Sequence, residues 1–284
     1  MRSSIEMCDG YKLDHRRQYP NNTIKIYSNW TPRGSRMPGV DKVVVFGIQY
    51  FIKKYLIEEF KTNFFDKPKQ QILDSYKRKI KNYLGDPDFD TQHISDLHDL
   101  GYLPIYIKAL PEGTLCPIGV PMLTIVNTKP EFFWVTNFLE TIMSCQLWKP
   151  MVSASIALEY WKEFKRHSDK TGSPEEFICW QGHDFSFRGM AGFESCILSA
   201  MGHLTIFTGT DTFPAIEELE TYYNVIHEEH YIGGSISATE HSVQSLNAEY
   251  NEVEIEEEYY VEIKTDSSGN IISEREIKSH PNDL

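Results

Sequence analysis

Three short clusters in the second half of the chain have residue types that could do chemistry on phosphorylated or heteroaromatic molecules. In SATEHS, residues 237–242, His241 directly follows Glu240 at the end of a run of small residues. Imidazole can act as a nucleophile toward phosphoryl groups, and an adjacent carboxylate can fix its tautomer. A lone histidine in such a loop is equally an ordinary hydrogen-bonding or surface residue. GTD, residues 209–211, puts Asp211 after a short apolar run, where an acid either caps the next helix or faces a ligand. HDFSFRG, residues 183–189, offers Phe185 and, three residues on, Arg188. A flat heteroaromatic ligand wants that ring face and a phosphate wants that guanidinium; core packing and a solvated ion pair are the plainer alternatives.

Other chemistries lack their signatures. The sequence has no GxxxxGK[ST] phosphate loop, no HExxH or CxxC pair for zinc, and no GxSxG elbow. With 41 acidic against 28 basic residues, the chain lacks the basic excess of a nucleic-acid surface. Residues 249–284 carry 11 acidic and 3 basic side chains, so this stretch supplies 8 of the 13 net negative charges. The five cysteines are odd in number and scattered, which fits free thiols in a reducing cytosol. Glu6 and Asp9 stand where a signal peptide needs apolar residues, and no apolar run reaches membrane-spanning length. A cytoplasmic protein with no membrane and no nucleic-acid partner is the expectation.

The elements that must position these clusters follow from periodicity. The first 35 residues are polar and turn-rich. Helices are expected over 45–60 and over 69–84, the second bracketed by Pro68 and Gly85 with Ile72, Ile80 and Leu84 as its apolar stripe. Residues 105–115 and 121–128 alternate like strands around a Pro-Glu-Gly turn. From Glu131 two long helices are expected, ending at Gly172. Strand and helix then alternate through 177–223, implying βα units on a parallel sheet or barrel, with chemistry at the carboxyl ends of the strands. HDFSFR and GTD fall there, and SATEHS follows the next loop. Residues 257–278 read as two polar strands around DSSGN, a solvated hairpin.

Taken in order, the clusters resemble one family. DGYKLDHRRQYP (9–20), YSNWTPR (27–33), VFGIQY (45–50), LPIYIKALPEGTLCPIG (103–119), HDFSFRG (183–189), FTGTDT (207–212) and SISATEHS (235–242) are similar to successive motifs of the nicotinamide phosphoribosyltransferase family, from about residue 8 to about residue 247. The resemblance implies an α/β fold, an irregular (partial) α/β barrel with an N-terminal mixed α/β domain, paired as a homodimer with active sites at the interface. It divides the chain into a mixed domain at 1–148, the first part of the barrel at 149–248, and an acidic hairpin or tail at 249–284. The implied reaction joins nicotinamide to phosphoribosyl pyrophosphate, giving nicotinamide mononucleotide and pyrophosphate in NAD salvage.

By that likeness Phe185 stacks on one face of the pyridine ring and Tyr11 of a second subunit covers the other, with Asp9 beside it on the substrate side. Asp211 accepts a hydrogen bond from the carboxamide, Arg188 lies on the carboxamide and phosphate side, and Arg33 of the second subunit reaches phosphate. Ser235, Ile236 and Ala238 line the ring pocket. His241, with Glu240 beside it, matches the family's phosphorylated histidine, which implies ATP and Mg²⁺ as cofactors; no metal ligand is assigned. Ser237 stands where the family usually has proline, and Gly10 where it often has serine. The family's later phosphate and metal motifs do not appear. A truncated or split chain, with a second polypeptide completing the barrel, is therefore expected. Nicotinate phosphoribosyltransferase is the alternative enzyme, and a non-catalytic subunit or remnant that binds a ligand or partner is the alternative outside enzymes.

Overall fold

The computed structural model describes residues 3–249 and the backbone of two strands, 259–265 and 271–278. Residues Met1–Ser235 form one unit and Ile236–Leu284 a second. The first unit opens with two 3-10 turns, Ser4–Glu6 and Gly10–Asp14, followed by the short helix α1 (His15–Gln18) and strands β1 (Tyr27–Trp30) and β2 (Lys42–Val44). β1 lies in the segment whose sequence reads as turn-rich and β2 just before the expected helix, and neither reads as a strand because each is short and takes its partner from far along the chain. Tyr27 pairs with Val126 and Val43 with Cys116.

The helix expected over 45–60 begins as a single turn, α2 (Ile48–Tyr50), and then widens to π geometry over Phe51–Glu59 and Lys61–Phe65. The Asp66 N–H reaches back five residues to the Lys61 carbonyl at 2.8 Å. Helix α3 (Lys69–Leu84) buries Ile72, Tyr76 and Ile80 at four-residue spacing and stops at Gly85, whose φ of 66° suits a left-handed cap. Helix α4 (Gln92–Leu100) follows, and its His93 packs edge-on against Trp134 at 5.0 Å between ring centroids.

Strands β3 (Ile105–Ala109), β4 (Leu115–Pro117) and β5 (Leu123–Asn127) complete the amino-terminal sheets. β5 lies between β1 and β3, antiparallel to both, and β2 pairs with β4. β3 and β5 thus pair as the alternation suggests, but β4 between them turns away to β2. At the end of β5, Asn127 accepts from the Ile26 N–H and donates to the carbonyls of Ile24 and Lys129, satisfying loop backbone that has no ladder partner.

After the short α5 (Val135–Phe138), a single helix, α6, runs Glu140–Thr171 where two helices are expected. Pro150 lies inside it. Proline removes one helical bond and normally ends a helix, but here its ring packs against Gly47. A Cβ at Gly47 would lie 2.7 Å from Pro150 Cγ, and one at Gly202 would lie 2.5 Å from the Pro150 carbonyl oxygen. Two glycines let neighbouring chain close on the proline, so tertiary contact carries the helix through it. The boundary expected at residue 148 falls within α6.

Beyond α6 come β6 (His183–Asp184), α7 (Phe193–His203), β7 (Gly209–Thr210) and α8 (Pro214–Tyr223). β6 and β7 run parallel, and Gly234 bridges Gly209 in the same sense. This is a βα arrangement of very short strands, and among the described residues it does not close into a barrel. The buried faces of α6, α7 and α8 join the amino-terminal helices and sheets in one apolar core, from Ile5 to Tyr222. In the second unit, α9 (His241–Glu249) and the antiparallel strands β8 (Tyr259–Thr265) and β9 (Ile271–Lys278) are described; these strands match the expected hairpin, whose turn lies outside the described residues. No helix among the described residues is long and apolar enough to cross a membrane.

Burial pushes the His93 imidazole down to about 4, with Arg16 acting in the same direction. The ring is neutral in the fold, whereas in the unfolded chain it binds a proton below about pH 6.5. Between those values the unfolded state holds more protons, so stability falls as pH falls through the window. From pH 7 to pH 5 the wild type should lose about 2 kcal/mol more than His93→Phe in urea unfolding. Equal losses in the two proteins would contradict a neutral buried ring.

Candidate active site

The carboxyl ends of β6 and β7 open onto a cavity of about 820 Å³. Phe185, Phe187, Arg188, Asp211, Phe213 and Ser235 stand on its wall. Four of the residues singled out from the sequence, Phe185, Arg188, Asp211 and Ser235, are thus brought together from three separate stretches of chain. The βα alternation does this: each stretch leaves its extended segment in the same direction, so the residues that follow meet at one edge.

Asp184 fixes that edge. Its side chain is buried and accepts from the Ser186 N–H at 3.1 Å, the Thr210 hydroxyl at 3.2 Å and the Thr212 hydroxyl at 2.5 Å. Burial alone would raise its pKa, but the bonds from Ser186 and Thr212 outweigh burial and hold it below the usual carboxylate value. Its carbonyl also accepts the Asp211 N–H at 2.9 Å. The loop after β6 and the loop after β7 are therefore tied at one point. Behind β7, His203 bonds the Gly209 carbonyl through Nε2 at 2.9 Å and stacks on Phe207. Burial lowers the His203 pKa, and because the Gly209 carbonyl can only accept, Nε2 is the donor in this bond.

In front of this anchor the polar and aromatic groups are open. Phe185 is 69% exposed and Phe213 77%. The His183 ring stacks on Phe185, with centroids 4.3 Å apart, and its Nε2 lies 2.7 Å from Asp211 Oδ1. His183, Asp184, Phe187, Thr210 and Phe213 belong to this site but were not distinguished by their sequence. A two-residue strand is too short for alternation to reveal which side chain points inward. The one available signal was adjacency within HDF and GTDT.

Asp9, Tyr11 and Arg33 lie elsewhere in the unit, around the amino-terminal end of α6. Asp9 and Thr141 bond reciprocally, N–H to Oγ1 at 3.1 Å and Oγ1 to Oδ2 at 2.8 Å. Buried Lys12 pairs with Glu140 and sits 5.3 Å from the centre of the Tyr11 ring, itself 58% exposed. Arg33 stands on a second cavity, about 660 Å³, that also reaches Glu140. The first unit thus carries two groups of candidate residues, one at the strand ends and one at the head of α6.

Ile236, Ala238, Glu240 and His241 belong to the second unit. Exposed His241 opens α9, and the Glu240 carbonyl accepts the Gln244 N–H at 3.0 Å. Among the described residues, the Glu240 carboxylate is bonded by the Ser242 hydroxyl rather than by the His241 ring.

Comparison with known proteins agrees with the motif order. Residues 4–107 match the family described as nicotinamide phosphoribosyltransferase, N-terminal domain. The chain is 46% identical over 255 residues to a nicotinamide phosphoribosyltransferase of Acinetobacter baylyi, covering 88% of this chain and 50% of that protein. A Mycoplasma pneumoniae protein of the same name is 31% identical over 265 residues, covering 87% of this chain and 54% of its own length. The chain spans about half the length of the curated relatives it matches. Among solved structures, human nicotinic acid phosphoribosyltransferase superposes with a TM-score of 0.52 at 18% identity, covering 83% of this chain and 39% of that one. At that identity the likeness establishes a shared fold alone. The sequence matches carry the likeness further: residues 4–107 match the amino-terminal domain of the nicotinamide phosphoribosyltransferase family, and most of the chain is similar to proteins of that name.

Proposed function

We propose that this chain supplies the base-binding half-site of a nicotinamide phosphoribosyltransferase. The observation that carries the reading is the cavity after β6 and β7, where an exposed aromatic face, a carboxylate and a guanidinium converge. In the reaction, the pyridine nitrogen forms a bond to C1′ of the ribose. The C1′–O bond to pyrophosphate breaks, and the electron pair leaves with pyrophosphate. Phe185 holds the ring by stacking, which needs no charge on the base. Asp211 accepts from the carboxamide NH₂. Arg188 serves the phosphate side of the cavity.

This arrangement favours the amide over the acid. A nicotinate carboxylate placed against Asp211 would meet a like charge with no donor between them, worth about 1 to 4 kcal/mol at 4 Å near a protein surface. The developing product carries positive charge on its ring, so a fixed anion beside the base also stabilises the transition state more than the neutral substrate. The exposure of Phe185 and of Tyr11 supports a homodimer in which the two rings from different subunits enclose one base. Within that proposal Asp9 and Arg33 come from the subunit that supplies Tyr11, while Ser235 lines the ring pocket. His241 is proposed as the phosphorylated histidine, with Glu240 adjoining it. ATP and Mg²⁺ belong to the proposal by family likeness. Among the described residues no group of three or more His, Cys, Asp or Glu side chains could hold a metal ion, and no step here runs through one.

Calorimetric titration of the chain with nicotinamide and with nicotinic acid tests the base site. Asp211→Asn should narrow the preference for the amide by about 1 to 3 kcal/mol. An unchanged ratio of the two dissociation constants would remove Asp211 from the site.

A second experiment addresses the divided site in an assembly that forms nicotinamide mononucleotide. Tyr11→Ala and Phe185→Ala chains should each be impaired, and mixing them should restore activity in the fraction of sites that receive both rings. Demonstrated mixed dimers no more active than either parent would contradict the shared site.

A further inference from the structure

We infer that His183 is the positioning residue that sets the amide-over-acid selectivity of this cavity, acting through Asp211 and behind Phe185. The inference rests on the reading of the cavity as a base site and assigns to its selectivity a residue that touches neither the carboxamide nor the ribose.

Three contacts fix the His183 ring. In the parallel pair of β6 and β7, His183 lies opposite Gly209. A Cβ at Gly209 would come within 2.7 Å of His183 Nδ1, so the glycine is what gives the imidazole its place. One face of the ring stacks on Phe185, at 4.3 Å and 28° between planes. Its Nε2 lies 2.7 Å from Asp211 Oδ1. An ionised carboxylate can only accept, so Nε2 carries a proton and donates it to Asp211.

The consequence for Asp211 follows from its exposure. Its side chain is 49% accessible, and a carboxylate so open to water would turn freely without a partner. With Oδ1 held by His183, the second oxygen is the one presented to a ligand, in a fixed plane. An amide donor fits that oxygen, whereas an acid ligand brings only acceptors. The same imidazole supports the back of the Phe185 ring, so a single side chain aligns the stacking face with the polar selector. His183 therefore does two separable things, donating a hydrogen bond and backing an aromatic ring.

Two substitutions separate them. In His183→Gln the side-chain amide nitrogen stands near the place of Nε2 and can still donate to Asp211, but the ring is lost. In His183→Phe the ring is kept and the donor is lost. Dissociation constants for nicotinamide and nicotinic acid would be measured by calorimetry on the full chain as wild type, both His183 variants and Asp211→Asn, with thermal unfolding run alongside. We expect His183→Phe to narrow the amide-over-acid ratio about 5- to 10-fold, the scale of one ordinary hydrogen bond at a site open to water. His183→Gln should keep the ratio near that of the wild type while weakening both bases together. If Asp211→Asn narrows the ratio and His183→Phe does not, the proposal falls and the base-site reading stands. If Asp211→Asn leaves the ratio unchanged, or the wild type binds neither base, the base-site reading falls and the proposal with it. Should the His183 variants fail to fold, ¹⁵N spectra of labelled histidines in the wild type decide. A His183 ring that carries a proton on Nε2, with its signal altered in Asp211→Asn, supports the proposal, and a ring protonated on Nδ1 alone overturns it.

Discussion

The buried carboxylate of Asp184 is the constraint on which the candidate site depends. A charge out of water is costly unless its lone pairs are filled, and here the Ser186 backbone N–H and the hydroxyls of Thr210 and Thr212 fill them. Satisfying one anion obliges two loops, distant in sequence, to meet at a fixed place. Strands of two residues cannot hold themselves in register. The carboxylate, together with the carbonyl bond to the Asp211 N–H, does what a longer ladder would do elsewhere.

Outward from that anchor the side chains become progressively more open. Asp184 is buried, His183 partly covered, Asp211 half exposed and Phe185 largely exposed. Such an order suits a site that is rigid at its base and incomplete at its mouth. The other candidate residues, Asp9 and Tyr11, are held by a separate pair of contacts to the head of α6, Asp9 to Thr141 and Lys12 to Glu140. Each group is positioned by its own polar anchor. That independence is what allows two copies of the chain to contribute different halves to one site, as proposed.

How much of this the sequence revealed depended on whether local or distant contacts decide the structure. Helix α3 was legible because its apolar stripe, Pro68 and Gly85 are all local signals, and the terminal strands because their alternation is long. β1 and β2 were not legible, since three or four residues of mixed polarity become strands only when β5 and β4 arrive to pair with them. Pro150 reads as a break in any local rule, yet packing against Gly47 and Gly202 carries α6 through it. The cavity itself was partly legible: strand-end logic and motif order selected Phe185, Arg188, Asp211 and Ser235. His183 and Asp184 escaped notice because nothing in HDF says which of its two polar side chains is buried as an anchor and which is stacked on the aromatic ring. The family likeness came from motif order and was supported by relatives at 46% and 31% identity, where the structural neighbour at 18% could establish only the fold.

The central claim is that the cavity after β6 and β7 holds the nicotinamide ring. A crystal structure of the chain grown with nicotinamide tests it most directly. The account predicts the pyridine ring against Phe185, its carboxamide nitrogen within hydrogen-bond distance of the Asp211 oxygen that His183 leaves open. Clear density for the base at another place, or an empty cavity at a concentration that saturates binding in solution, would contradict it.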